Sequence, residues 1–470
     1  MVRHATLRTF RKPPYAVTGG EIPCPTRCPA VIRGPMIRFF LTFWLAMLSA
    51  STVSAAPPNI VMIISDDHAW TDYGFMGHPL ATTPHLDRLA AQSLCFKKGY
   101  VPSSLCCPSL ATLITGKFPH QHRITGNDPA VDRTSAEGVP KLKNPAFAAG
   151  RERMKSLIHS TPTLPRLLGE SLGYRSQQTG KWWLGGYADG GFTEGMTDGD
   201  PVRGGRHGDA GLNIGRKGME PIYDFIRRST ADQKPFFVWY APLLPHDPHT
   251  PPEAILAKYR GKVPSLHVAR YLAMVEWFDQ TCGELMGFLD RENLAENTIV
   301  VYVSDNGWIQ NPDNPRFAPK SKQSPYDGGL RSPIMLRWPA KIKPSQPDTV
   351  AHTIDLMPTL LKACGVPLPA GSPGIDLFDP AAPAARDTVF GECYDHDMVD
   401  FDAPAKSLKW RWCRQGDWKL ILPTARVPDA VPELYNLTAD PAEVNNLAAT
   451  EPARVTSLTA AINQWWTPAP

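Results

Sequence analysis

The stretch Ser103-Ser104-Leu105-Cys106-Cys107-Pro108-Ser109-Leu110-Ala111-Thr112-Leu113-Ile114-Thr115-Gly116 delivers a cysteine from a loop into the first turn of a short apolar helix. Pro108 suits the first helical position, because its missing N–H has no partner there to lose. Gly116 suits the stop. Cys106 is thereby placed where unpaired backbone N–H groups and the helix dipole favour negative charge. A lone cysteine more often fills a core than does chemistry, so the weight falls on its company. Asp66 and Asp67 are adjacent carboxylates after an apolar run, costly unless a cation neutralises them, with a solvated turn as the plain alternative. Lys181, the string Pro245-His246-Asp247-Pro248-His249, and Asp305-Asn306 each follow an apolar run in the same way.

Those runs predict the elements that must hold these groups. Asn59 to Ile64 is apolar throughout, as befits a strand buried on both faces. Strands are also expected from Tyr174, over Pro235 to Tyr240, and over Thr298 to Val303. Between them Thr83-Pro84 opens a helix, Thr163 to Gly173 reads as a capped helix, and about His267 to Leu289 carries Val275, Phe278, Cys282, Leu285 and Leu289 on one face. The alternation predicts an α/β fold with a large mixed or parallel sheet sandwiched by helices. Ligands of such sheets bind beyond the carboxyl ends of the strands. Asp66/Asp67, Lys181, His246/His249 and Asp305/Asn306 all fall there. Each alone is an ordinary turn; together with Cys106 they make a site.

Residues from about 127 to 160 are polar, rich in Lys and Arg, and aperiodic, which predicts a surface insertion. The Gly-rich residues 185 to 216 predict a substrate-facing loop. Past about residue 376 the pattern changes to short strands (Thr388 to Tyr394, Lys409 to Arg414, Trp418 to Leu422, Glu433 to Leu437) and a helix ending near Trp465. The expected division is therefore a catalytic α/β domain over 57–375 and a small α+β domain, built on an antiparallel sheet, over 376–470. Trp410 and Trp412 alternate in the second part, where packing is the expected role and a cleft the alternative.

A chain of 470 residues is long for one core, in keeping with that division. Lys and Arg number 49 against 45 Asp and Glu, with no basic run, which argues against nucleic acid as a partner. The 49 prolines are about twice ordinary usage and suggest long ordered loops on a scaffold. Nine scattered cysteines form neither a metal-ligand spacing nor a disulfide framework. Residues 1–35, with Cys24 and Cys28, read as disordered or as an over-long start ahead of an initiator at Met36. Arg38, the apolar run Phe39 to Leu48 and the small residues ending Val53-Ser54-Ala55 read as a signal peptide over 36–55, hence export to the periplasm or the medium. The run is short for a bilayer, and no stable membrane span is expected.

Cys106-Cys107-Pro108-Ser109, followed by an apolar run and Thr115-Gly116, resembles the Cys-x-Pro-Ser-Arg signature of the formylglycine-dependent sulfatases, members of the alkaline-phosphatase-like superfamily. The resemblance runs from about residue 59 to 450. It implies oxidation of Cys106 to formylglycine by a maturation enzyme, the hydrated aldehyde being the nucleophile. It implies calcium ligands at Asp66, Asp67, Asp305 and Asn306, with residue 106 in the same set. Such oxygen donors suit a hard cation, Ca²⁺ or Mg²⁺. Lys181, in Gly180-Lys181-Trp182-Trp183-Leu184-Gly185, and Lys322, ahead of Tyr326-Asp327-Gly328-Gly329, match lysines that grip the sulfate. His246 matches the histidine near the leaving group, and His249 competes for that alignment.

Two positions depart from the family pattern. Leu110 replaces the signature's arginine, and Trp183 replaces a histidine that serves as the base collapsing the sulfated aldehyde hydrate. Since the other inferred ligands are present, the reading is a pocket repacked as a unit, with His249 as the replacement base, a role its near-neutral pKa suits. The implied function is hydrolysis of the sulfate ester of a small molecule or saccharide. The alternatives are phosphate or phosphonate ester hydrolysis on the same scaffold, and an inactive carbohydrate-binding protein.

Overall fold

The computed structural model describes residues 56–130, 144–199 and 210–468. The expected N-terminal extension and signal peptide lie outside the described residues, as do 131–143 and 200–209 within the two expected loops. No helix among the described residues is long and apolar enough to cross a membrane.

Seven strands build the main sheet: β1 (Asn59–Ser65), β2 (Leu94–Phe96), β3 (Arg175–Gly180), β4 (Glu194–Gly195), β5 (Phe236–Ala241), β6 (Thr298–Ser304) and β7 (Ile334–Arg337). Their spatial order is β2-β7-β6-β1-β5-β3-β4. The run from β6 to β4 is parallel, and β7 runs against both of its neighbours. In the central strand β1, Ile60, Met62 and Ile64 enter one core, beneath the helix Cys106–Thr115, while Val61 and Ile63 enter the other, beneath the helix Leu266–Arg291. Side chains alternate across a pleated strand, so a strand covered on both faces has no solvent face to mark with polar residues.

β3 breaks that rule in composition but not in burial. Its sequence Arg-Ser-Gln-Gln-Thr-Gly is polar, yet all of it past Arg175 is buried. Most of its polar atoms are met: Gln178 Nε2 donates to Gly180 O at 2.9 Å and Thr179 Oγ1 donates to Trp239 O at 2.8 Å, while Gln177 Oε1 is buried without a hydrogen-bond partner. Largely satisfied in this way, a polar strand can occupy a core.

Two expectations need correction. The helix carrying the cysteine begins at Cys106 rather than Pro108, with Leu105 at the N-cap. Pro108 is then its third residue, still within the first turn, where an N–H has no intrahelical acceptor. Gly116 ends the helix in the left-handed conformation with φ 63°. The expected surface insertion also contains a helix, Pro145–His159, which buries Phe147, Gly150, Met154, Leu157 and Ile158. Asn144 Oδ1 caps it by accepting from Ala146 N at 2.9 Å. Arg151, Glu152, Arg153 and Lys155 crowd its remaining surface and obscure the apolar period in the sequence.

The second sheet is antiparallel, built in chain order from Thr388–Tyr394, Leu408–Gln415, Trp418–Pro423 and Glu433–Asn436. The helix Pro452–Trp465 covers one face with Leu458 and Ile462. From the other face Trp412, fully buried, donates from Nε1 to Pro102 O at 3.2 Å, and Glu392 N donates to the same oxygen at 2.8 Å. Trp412 is thus a packing residue, and it supports the loop leading to Cys106. Trp412→Ala should therefore cost about 3–5 kcal/mol of stability, the usual range for emptying a buried aromatic site. The check is a chemical-denaturation midpoint at unchanged m-value; a loss below about 1 kcal/mol would contradict this packing role.

Candidate active site

Strands β6, β1, β5 and β3 lie side by side and parallel, so their carboxyl ends share one edge. Ser65 pairs in register with Ser304, which makes Asp66-Asp67 and Asp305-Asn306 leave the sheet as neighbours. Pairing continues past the strand ends: Asp305 N donates to Ser65 O at 2.9 Å, Asp66 N to Leu244 O at 2.9 Å, and Lys181 N to Ala241 O at 2.6 Å. Asp67 adopts φ 61°, a left-handed conformation that aspartate tolerates. It breaks the strand's alternation, so two consecutive carboxylates can serve one cluster. Gly180, at φ 75°, is required where β3 meets β5, since a Cβ there would lie 1.8 Å from Ala241 O.

These ends meet in one buried cluster. Lys181 Nζ donates to Asp66 Oδ1 at 2.6 Å and to Asp305 Oδ2 at 2.9 Å, and its side chain is 1 % exposed. Lys322 Nζ donates to Asp67 Oδ2 at 2.7 Å. His246 Nε2 lies 3.5 Å from the same oxygen. Asn306 Nδ2 donates to Asp67 Oδ1 at 2.6 Å, and Cys106 Sγ donates to Asn306 Oδ1 at 3.5 Å. The structure therefore brings together Asp66, Asp67, Cys106, Lys181, His246, Asp305, Asn306 and Lys322.

His249 is not part of this cluster. Its ring packs on Tyr271 and Trp308, with centroids 5.4 and 5.8 Å away. Burial holds its pKa down at about 4.

Burial and charge set the protonation states of the cluster. Burial opposes ionisation of Asp67, but Lys322 and then His246 overcome it and hold the carboxyl at about 2. Asp305 is pushed up to about 6, by burial and then by the neighbouring Asp66. Burial disfavours the charged forms of Lys181 and His246, yet the carboxylates win in both and raise them: Asp305 and Asp66 for Lys181, Asp66 and Asp67 for His246. Those carboxylates thus favour the protonated form of His246.

The chemistry of the donor set fits a hard cation. Three carboxylates face two ammonium groups, and among the described residues Asp66 Oδ2 is buried with no hydrogen-bond partner. Donor atoms of Asp66, Asp67, Cys106 and His246 lie within 4.8 Å of one another. Asp66, Asp67, Asp305 and Asn306 could supply oxygen ligands of the kind Ca²⁺ or Mg²⁺ takes.

The two departures from the family pattern fall in the same core. Leu110 and Trp183 are both buried in the core that holds Cys106. Lys181 Nζ lies 4.2 Å from the Trp183 ring centroid, and the His246 ring meets Trp183 edge-on at 6.3 Å. Trp183 thus walls the cluster between a lysine and a histidine. Its carbonyl accepts from Arg151 Nη2 at 2.8 Å, and Arg151 Nη1 donates to Asn127 O at 3.3 Å. Asn127 Oδ1 in turn accepts from Cys107 N at 2.9 Å. Sequence reasoning missed both Arg151 and Asn127. The apolar spacing Phe147, Gly150, Met154 was the signal that could have placed Arg151 on a packed helix.

Comparisons with known proteins bear on the family and the fold. The sulfatase family model matches residues 58–366, and the model of the N-sulphoglucosamine sulphohydrolase C-terminal region matches 320–464. The chain is 29 % identical over 386 residues to human arylsulfatase A, an alignment covering 71 % of this chain and 69 % of that protein. It is 30 % identical over 388 residues to dog N-acetylgalactosamine-6-sulfatase, covering 71 % and 68 %. A solved structure in complex with its substrate, D-glucosamine-2-N,6-O-disulfate, has the same fold, with TM-score 0.67, 20 % identity, and coverage of 87 % of this chain and 97 % of that one. The phosphate-ester alternative is not favoured by these relatives. The chain belongs to the sulfatase family, the sulfuric ester hydrolases of the alkaline-phosphatase-like fold.

Proposed function

We propose that this chain is an exported sulfatase acting on a sulfated carbohydrate, with Cys106 matured to formylglycine and a calcium ion held by Asp66, Asp67, Asp305 and Asn306. The observation that carries the reading is the convergence of four adjacent strand ends, the Cys106 helix and Lys322 on one buried cluster. Relatives named for N-acetylgalactosamine-6-sulfate and a structural neighbour solved with a sulfated glucosamine support the substrate class. The pattern of residues 36–55 supports export.

Hydrated formylglycine at residue 106 would supply an oxygen nucleophile, and a bound divalent cation would supply charge stabilisation to the sulfate oxygens. The chain's own residues do the rest. Lys181 and Lys322 hold the sulfate and offset charge that develops in the transition state. A divalent cation held by these carboxylates would add positive charge to the cluster and so favour an anionic ester. His246, whose Nε2 lies 3.5 Å from Asp67 Oδ2, gives a proton to the leaving alcohol. The Trp183 indole keeps water from that side of the cluster and strengthens each of these interactions.

Protein made in its native host should carry an oxidised residue 106, seen by mass spectrometry of the tryptic peptide Gly99 to Lys117; wholly unmodified thiol would sink the formylglycine reading. Calcium should raise the melting temperature, as any ligand specific to the folded state does. Asp305→Asn should blunt that shift and lower kcat at least about a hundredfold, in line with losing one preorganised charge. An unchanged calcium response would remove Asp305 from the ligand set. His246→Gln should lower kcat about 10²–10⁴-fold on an alkyl sulfate, the usual range for a general acid. It should cost far less on 4-nitrophenyl sulfate, whose leaving group needs little protonation. Equal losses on both esters would exclude His246 as the acid.

A further inference from the structure

The loop after β5 continues beyond His246. Asp247 and His249 go on to line a cavity of about 570 Å³ together with Glu253, Arg260, His267 and Arg270. That volume is within the usual range for small-molecule sites. The acids in its wall are already engaged. Asp247 Oδ1 lies 2.9 Å from His246 Nδ1, and Glu253 takes two hydrogen bonds from Arg260, at 3.1 and 2.8 Å. The remaining bases are not engaged. Arg270 and His267 have no ion-pair partner among the described residues, and His249 Nε2 is buried without a hydrogen-bond partner. His267 stands in the first turn of the helix Leu266–Arg291, where the helix dipole adds positive potential, and Arg270 follows at the start of the second.

The cavity adjoins the catalytic cluster by two routes. One is the His246–Asp247 contact already given. The other runs through Trp308, whose ring meets His249 at 5.8 Å on one side and Lys322 Nζ at 5.6 Å on the other. A saccharide with its sulfate at the cluster would thus have, on the far side of His246 and Trp308, a pocket in which Arg270 is an unmatched positive charge.

We propose that this cavity is an anion subsite, which takes a second negatively charged group of the same saccharide substrate, a sulfate or a carboxylate, with Arg270 as its principal contact. Arginine remains charged at any working pH and binds either group through paired hydrogen bonds. This inference rests on the saccharide reading above and adds a requirement: the preferred substrate is at least a dianion. Asp247, held by His246, ties the subsite's wall to the group that protonates the leaving alcohol.

The test compares three disaccharides: one with a single sulfate, the same with a second sulfate, and the same with one sulfate and a hexuronate carboxylate. Turnover is measured on matured wild type, Arg270→Gln and Arg270→Lys. Equilibrium binding is measured by calorimetry on the Cys106→Ala protein with and without Arg270→Gln. Wild type should prefer one of the two dianions by about tenfold in kcat/KM. Arg270→Gln should erase that preference through KM, and Arg270→Lys should restore part of it. Which dianion is preferred identifies the group as sulfate or carboxylate. Equal kcat/KM for all three sugars, or a preference that survives Arg270→Gln, would overturn the subsite. If the sugars bind with an Arg270-dependent preference but are not hydrolysed, the subsite stands and the hydrolase reading falls.

Discussion

Burial of charge is the constraint on which the rest of the molecule depends. Asp66, Asp67, Asp305, Lys181 and Lys322 are almost wholly removed from water. Taking an ion into the interior costs several kcal/mol even after relaxation, and only close partners with good geometry return it. Each lysine accordingly lies within 3 Å of a carboxylate oxygen. Such distances survive only on rigid supports. Of the parallel strands below, β1, β5 and β6 are apolar on both faces and β3 is polar but buried, and their register sets Asp66 and Asp305 beside Lys181.

Leu110 and Trp183 stand where the family has arginine and histidine, and both are buried in the core that holds Cys106. The Trp183 ring contributes a face to Lys181, a contact favoured by the ring quadrupole and strengthened by the absence of water. A guanidinium is still nearby, but it acts on the backbone. Arg151 ties the Trp183 carbonyl to Asn127, and Asn127 holds the amide of the residue after Cys106.

The second sheet contributes from below. Trp412 and the Glu392 amide both hold Pro102 O, so the loop that enters the Cys106 helix rests on residues some three hundred positions away in the chain. A buried ion cluster of Asp327, Lys419 and Glu443 joins the same sheet to the segment that carries Lys322. A small domain at the end of the chain therefore helps to position two groups of the site in the large one.

How much of this was legible in the sequence differs from element to element. Apolar runs ending in Asp66-Asp67 and Asp305-Asn306 marked parallel strands and the edge where a site must lie, because a strand covered on both faces is most often apolar and its polar groups then appear past its end. Local chemistry also marked Gly116 as a helix stop. The starting point of the Cys106 helix was read two residues late, since proline is acceptable anywhere in a first turn. The helix Pro145–His159 was lost because Arg151, Glu152, Arg153 and Lys155 interrupt its apolar stripe in the sequence. What the sequence could not state was pairing. His246 and His249 are three residues apart in the same loop, yet one lies against Asp67 and the other against Tyr271 and Trp308. The sequence alone determined which residue types reach the carboxyl edge of the sheet. Tertiary structure decided which of them share a cluster, because hydrogen bonds and ion pairs act over about 3 Å between strands whose neighbours in space are remote in the chain.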